Sequence, residues 1–429
     1  MCPHWQRFRG PSLQPFRFVH AADLHIDSTF RGLRDVDKRV GERLRESTFE
    51  AFKNLISLCI DEQVDFLVIA GDIYDGADRS VRAQLRFRDG MRQLSEAGIA
   101  VYIVHGNHDP LDGWLSSVTW PENVHIFGPE PEWKHVELNG EHIAAIQGVS
   151  FPTREVRENL VARFSTPQDD SLFTIGLLHS NVGGNPNHDN YAPCTIDDLK
   201  LTGLDYWALG HVHTRQTLRR QNPAIIYPGN LQGRHPNEDG PRGCLMVDVS
   251  EDGAVNTRFH ALDVVRWEPA TVDISDIKTL DALEAAIQQR LDDLAVKVEG
   301  RDVICSLTLA GRGPMHTELV RPGTVDDLLS ELRTTASESP WVWVERVYDN
   351  THAELDLDSR ANSDDFLGAV LRKSADVLDS DEGMKELAAV VGEVFTGRKN
   401  GLPAPTDEQI RTWTAEARWQ LAELLEPEE

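Results

Sequence analysis

The chain has 429 residues; at roughly 100–200 residues per domain, two or three domains are expected. Hydrophobic residues at 40% and aromatics at 7% exclude global disorder, and no run approaches the ~18 apolar residues of a membrane span. The formal net charge is −27 and only nine of the 43 basic residues are Lys, which argues against a protein that wraps nucleic acid by its own charge. A polyphosphate would be repelled unless metal ions or a partner reversed the local field.

Residues 1–15 read as a loose N-terminal lead with arginines but no apolar centre, so a secretory signal is not expected and the cytoplasm is the expected compartment. Phe16–Asp23, Val64–Asp72 and Ile99–Asn107 read as apolar strands, with amphipathic helices at Arg39–Glu62 and Val81–Ala97 between them. This alternation predicts an α/β fold. Short strands separated by turns follow, from HIFGP to GCLMVDVS, and imply a second sheet facing the first, with the layer ending near Trp267. Residues 268–347 alternate strand and helix as a small α+β module. Residues 359–429 read as helical, with the GRKNGLPAPTDEQ loop between two helices, the second carrying Ile410, Trp413, Trp419 and Leu421. The five cysteines (Cys2, Cys59, Cys194, Cys244, Cys305) are scattered without a CxxC and read as buried thiols of a reducing compartment.

The chemistry-bearing residues stand at strand ends, where polar groups can converge outside the carboxyl edge of a sheet. In order they are Asp23-Leu24-His25, Gly71-Asp72-Ile73-Tyr74-Asp75, Gly106-Asn107-His108-Asp109, Leu177-Leu178-His179 and Gly210-His211-Val212-His213. A lone DxH or GHxH is usually an ordinary turn; five such motifs in order, each closing a strand, are not. In an extended chain the i, i+2 spacing points Asp23 and His25 the same way. Carboxylate, imidazole and amide ligands without thiolate suit Mn2+, Fe2+ or Zn2+, and seven ligands suffice for two ions sharing one carboxylate. Such a pair clamps the attacking and leaving oxygens of a displacement at phosphorus.

DxH, GDxxD, GNHD, a lone His and GHxH in this order resemble the calcineurin-like metallophosphoesterases. AADLHIDSTFRGL, FLVIAGDIYDG, YAPCTIDDL, DYWALGHVH and YPGNLQGRHPNEDGPRGC further resemble the bacterial YhaO family of DNA repair exonucleases, relatives of the SbcD nuclease. The resemblance covers about residues 16–267 by motif and the remainder by domain layout. It implies a two-sheet metallophosphoesterase sandwich flanked by helices over 16–267, a small α+β capping domain over 268–347 and a helical partner-docking segment over 359–429. It implies two divalent metal ions, Mn2+ first and Mg2+, Fe2+ or Zn2+ as alternatives. Asp23, His25 and His213 would hold one ion, Asn107, His179 and His211 the other, and Asp72 both. His108 would stabilise charge on the phosphoryl group or protonate the leaving oxygen, and Asp109 would orient His108. Asp75 would stand behind the metal ligands; some relatives carry a DNA-placing His at this position. The implied activity is a metal-dependent DNA exonuclease or endonuclease of DNA repair. Hydrolysis of small phosphoesters and a non-catalytic scaffold are the alternatives.

Other residues keep two readings. His105 reads as a packing or hydrogen-bonding residue, His188-Asp189 as a solvated loop or a substrate contact, and Gly229-Asn230 as a turn beneath the site. Arg215–Arg220, Arg234, His235 and Arg242 form either a solvated face or a phosphate-guiding rim. The C-terminal helices, acidic and ending EPEE, either pack on their own core or, as the resemblance implies, dock an SMC-like ABC ATPase subunit. No GxxxxGK[ST] occurs, so any ATP dependence belongs to another chain. A homodimer is expected from the resemblance alone.

Overall fold

The computed structural model describes residues 13–28, 30, 37–76, 80–113, 118–184, 189–334, 340–396 and 405–425. Most of the expected N-terminal lead, His188, residues 397–404 of the tail loop and the final EPEE lie outside the described residues. The chain divides into two compact units. One comprises Met1–Pro269, Leu294–Ser306 and Ala336–Glu345, the other Ala270–Asp293, Leu307–Thr335 and Arg346–Glu429.

The first unit opens with β1 (Phe16–Ala21), α1 (Lys38–Asp61), β2 (Phe66–Ala70), α2 (Val81–Glu96), β3 (Ala100–Val104) and β4 (Val124–Ile126). It continues through β5 (Glu132–Leu138), β6 (Glu141–Val149), β7 (Phe173–His179), α3 (Ile196–Leu201), β8 (Tyr206–Gly210), β9 (Gln216–Arg219), β10 (Ala224–Tyr227), β11 (Gly243–Val249) and β12 (Val255–Ala261). Two six-stranded sheets result, in the orders β12-β11-β1-β2-β3-β4 and β5-β6-β7-β8-β10-β9. β1, β2 and β3 run parallel, as do β6, β7 and β8, so within each sheet their carboxyl ends share one edge. The expected two-sheet α/β sandwich is the observed one.

β2 explains why an unbroken apolar run makes a strand here. Phe66 and Val68 face the second sheet with Phe18, Phe173 and Tyr206, while Leu67 and Ile69 face Phe52, Leu55 and Phe87 of the helices. Both faces are covered, so the period of two selects which core a side chain enters rather than core or solvent. Phe18 and Phe66 stack with centroids 4.9 Å apart. The outer face of the second sheet packs Leu178, Trp207 and Leu209 against Phe151, Leu160 and Leu199. The helices start at capped residues: Asp37 accepts from the amides of Arg39 and Val40, and Ser80 from that of Ala83. Cys59, Cys194, Cys244 and Cys305 are buried.

After these come β13 (Val265–Asp273), α4 (Leu280–Lys297), β14 (Asp302–Arg312), α5 (His316–Leu319), α6 (Thr324–Thr334) and β15 (Val342–His352), with a third sheet in the order β13-β14-β15. Leu283, Ile287, Leu291 and Leu294 form the buried stripe of α4 at helical spacing. The tail holds α7 (Leu357–Ala361), α8 (Phe366–Asp379), α9 (Asp381–Thr396) and α10 (Asp407–Leu425). The single helix expected before the tail loop is thus three. Asp365 caps α8 by accepting from Gly368 N at 2.8 Å, and Ser380 Oγ accepts from Gly383 N at the start of α9. Arg312 pairs with Glu423 and lies 3.9 Å over the Trp419 ring, which anchors α10. Among the described residues no helix is long and apolar enough to cross a membrane.

Candidate metal centre

Five strand ends of the first unit deliver the candidate residues. Asp23 and His25 follow β1, Asp72 and Asp75 follow β2, Asn107 and His108 follow β3, His179 closes β7, and His211 and His213 follow β8. The Asp-x-His segment, expected to be extended, is instead coiled: Asp23 and His25 have φ of 52° and 43°. Backbone ties to the next loop impose this, with His25 N donating to Asp72 O at 3.0 Å and Asp23 N to Gly71 O at 3.1 Å. Asp72 and His211 are left-handed too, at 51° and 96°. Such conformations cost on the order of 1–3 kcal/mol per non-glycine residue and persist only where the surroundings over-determine them. Gly106 and Gly210 permit the crowding: a Cβ on Gly106 would collide with Asp72 Oδ1, and one on Gly210 with the Ala70 carbonyl.

Three imidazoles each engage an outer acceptor with one nitrogen. His213 Nδ1 is 2.6 Å from Glu238 Oε1, His179 Nδ1 2.9 Å from Ala70 O, and His211 Nε2 2.8 Å from Asp189 O. These contacts select the tautomer and turn the other nitrogen inward. His213 Nε2 then lies 3.2 Å from His25 Nε2, while His179 Nε2 and His211 Nδ1 lie 3.0 and 3.2 Å from Asn107 Oδ1. Asp72 Oδ2 is 3.4 Å from His179 Nε2 and 3.8 Å from His25 Nε2. Ligand atoms within 4.8 Å of one another come from Asp23, His25 and His213, from Asp23, Asp72 and His179, and from His25, Asp75 and His108.

Burial is the largest single influence on each of these groups, but it does not always decide the direction. It pushes Asp23 up to about 6 against the pull of His213 and His179. It also acts on Asp72, but His179, His108 and His25 outweigh it and hold that carboxyl well below its usual range. His179 rises to about 9 because Asp72 and Asp23 overcome its burial, whereas burial and then Arg234 push His25 down to about 3. Ring nitrogens that face each other beside two buried carboxylates place several lone-pair donors around one point. This oxygen and nitrogen donor set fits a divalent cation.

His108 and its neighbours depart from expectation. Its Nδ1 lies 3.2 Å from Asp75 Oδ1, so Asp75 and not Asp109 is the carboxylate beside the imidazole. Asp109 is fully buried, accepts from Gly106 N at 2.8 Å and Ile73 N at 2.9 Å, and lies 3.1 Å from His105 Nδ1. It braces the loops after β2 and β3. Burial opposes protonation of His108, but Asp75 and Asp72 prevail and raise its pKa.

A family model described as calcineurin-like phosphoesterase matches residues 16–215, and one described as metallophosphoesterase YhaO, middle domain, matches residues 267–352. The uncharacterized metallophosphoesterase YhaO of Bacillus subtilis is 40% identical over 377 residues, covering 87% of this chain and 91% of that protein. The chain belongs to the YhaO metallophosphoesterase family. This YhaO-family chain is also similar to the D component of the nuclease SbcCD of Bacillus subtilis, at 25% identity over 59% of the chain and 72% of the relative. The DNA double-strand break repair protein Mre11 of Sulfurisphaera tokodaii is likewise 25% identical, over 59% of the chain and 66% of the relative.

Two neighbours of the YhaO-family centre escape a strand-end reading. Glu238 holds His213 and also accepts from Asn230 Nδ2 and Arg234 N, both at 2.7 Å. Its only sequence signal is a carboxylate in GRHPNEDG, 25 residues beyond His213 and close to the Gly229-Asn230 turn. Asn230 N donates to His213 O at 3.2 Å, which places that turn against the centre. Arg234 reaches the centre itself, with Nη1 3.0 Å from Asp75 Oδ1. Arg242 does not form a rim: it is buried, and its Nη1 donates to His213 O at 2.6 Å. Arg215 lies 3.8 Å over the Phe259 ring.

Proposed function

We propose that this chain is a two-metal phosphodiesterase acting on DNA, an exonuclease or endonuclease of DNA repair. The observation that carries the reading is the convergence of Asp23, His25, Asp72, Asn107, His179, His211 and His213 at the sheet edge, with His108 against Asp75 beside them. In this reading Asp23, His25 and His213 hold one ion, Asn107, His179 and His211 the other, and Asp72 both, with manganese the favoured metal. Such ions, when bound, supply positive charge to the phosphoryl group and to the attacking and leaving oxygens. Glu238, Ala70 O and Asp189 O keep three imidazoles in the tautomer and orientation that binding needs. Asp75 engages His108 Nδ1 and leaves Nε2 to stabilise a phosphoryl oxygen or to protonate the leaving oxygen.

DNA as substrate is supported by the relatives named as part of a nuclease and as a double-strand break repair protein. A partner is supported by the net charge of −27, which leaves duplex binding weak for this chain alone. We assign the docking of an SMC-like ABC ATPase subunit to the C-terminal helices, where Phe366 and Leu424 are 73% and 79% exposed.

The test compares end-labelled linear DNA with bis(p-nitrophenyl) phosphate, with Mn2+ and with chelator. Manganese-dependent release of nucleotides is expected. Turnover of the small diester with intact DNA would favour a small-phosphoester enzyme, and turnover of neither would remove the reading.

A further inference from the structure

His25, Asp75 and His108 form the third group of converging ligand-type atoms, but a cation of the chain already stands in that corner. Arg234 Nη1 lies 3.0 Å from Asp75 Oδ1, and the same oxygen is 3.2 Å from His108 Nδ1 and 3.4 Å from His25 Nδ1. The other carboxylate oxygen accepts from Ser28 Oγ at 2.7 Å. One negative charge therefore faces a guanidinium and two imidazoles. The Arg234 side chain is only 17% exposed, and its Nε is buried with no hydrogen-bond partner among the described residues. A guanidinium carries five donors, so its contact with Asp75 through Nη1 leaves other N–H groups of the fork able to donate. The segment that carries it is braced: Arg234 N donates to Glu238 Oε2, and Trp267 Nε1 donates to Gly233 O at 3.0 Å.

We propose that Arg234 is a substrate-binding residue whose guanidinium donates to a non-bridging oxygen of the scissile phosphodiester beside His108. The assignment deepens the phosphodiesterase reading and rests on it. A phosphodiester brings acceptor oxygens in the plane a guanidinium fork prefers. A rim arginine would meet only a polymer. Arg234 shares Asp75 with His108, so it meets any phosphodiester that His108 meets.

In the manganese-loaded full-length protein, Arg234→Gln should lower kcat/KM for linear DNA and for bis(p-nitrophenyl) phosphate in parallel, by roughly ten- to a hundred-fold. Arg234→Lys should recover part of the loss on both. Bound manganese should stay unchanged. A loss on DNA alone would move Arg234 to the rim, and a loss of manganese in both variants would make it a strut of the centre; either result overturns the assignment. Calorimetric titration with inorganic phosphate gives a readout without turnover: the affinity of the manganese-loaded protein should fall by a similar factor in Arg234→Gln. If the unaltered protein hydrolyses neither diester, the phosphodiesterase reading fails. Equal phosphate affinities in the two proteins would sink the role of Arg234 on their own.

Discussion

Replacing Glu238 with alanine would remove one carboxylate from three donors at once: His213 Nδ1 at 2.6 Å, Asn230 Nδ2 at 2.7 Å and Arg234 N at 2.7 Å. The carboxylate is largely buried; its burial opposes ionisation, yet His213 and Arg234 hold it far below the usual carboxylate range. Asn230 Nδ2 keeps Gln232 O at 2.9 Å, while Arg234 N loses its acceptor. At ~1–3 kcal/mol for a buried donor left unpaired, the metal-free protein should lose about 2 kcal/mol. At about 1.5–2 °C per kcal/mol for a unit of this size, that is roughly 3–4 °C in calorimetric Tm. Losing the carboxylate behind a ligating imidazole should lower metal affinity about 10–100-fold, or ~1.4–2.8 kcal/mol, in a manganese titration. Glu238→Gln keeps the shape and an acceptor, so it should spare most of the Tm and still weaken metal binding. Manganese affinity equal to that of the unaltered protein in both variants would refute the reasoning and leave Glu238 a structural strut.

Asp72→Ala should abolish binding of both ions and all turnover, and one manganese equivalent retained by mass spectrometry would contradict its shared role. His108→Ala should keep its manganese and lose turnover by on the order of 10²–10⁴-fold; metal-free protein or full activity would remove His108 from the chemistry. Gly210→Ala should destabilise by ~1–3 kcal/mol or more, since its Cβ would overlap the Ala70 carbonyl, and an unchanged urea midpoint would show that the sheets can part there at no cost. Burial pushes His20 down to about 3, so folding favours the neutral ring and stability should fall as pH drops from about 6.5 toward 3. At pH 5 the His20 contribution to this loss is about 2 kcal/mol relative to pH 7.5, and a His20→Gln chain with the same pH dependence of its urea midpoint would disprove it.

The strands, their order of appearance and the clustering of polar motifs at their ends were legible because each is a local signal. An apolar run such as Phe66–Ala70 followed by Gly71-Asp72 records both a doubly covered strand and the place where it stops. What escaped is nonlocal or conformational. Asp109 is adjacent to His108 in sequence, yet two backbone amides and His105 hold it, and the carboxylate facing His108 comes from another loop. Glu238 and Arg234 sit on a loop that returns to the centre only after β10 has been laid down. Arg242 reads as a surface charge until its contacts with the His213 and Asp239 carbonyls are seen. The coiled Asp23–His25 segment follows from bonds to Gly71 and Asp72, which a residue spacing does not encode.

The division of candidate ligands between the two sheets carries a mechanical consequence. Asp23, His25, Asp72 and Asn107 follow strands of one sheet; His179, His211 and His213 close or follow strands of the other. An ion gripped by both sets would be a rivet through the sandwich, and separating the layers would require its release. Occupancy at a thousand times Kd would add about 4 kcal/mol to the cost of opening that seam. Metal supply would then govern how long the protein survives proteolysis as well as how fast it works, and starvation for the ion would thin the population of molecules as well as idle it.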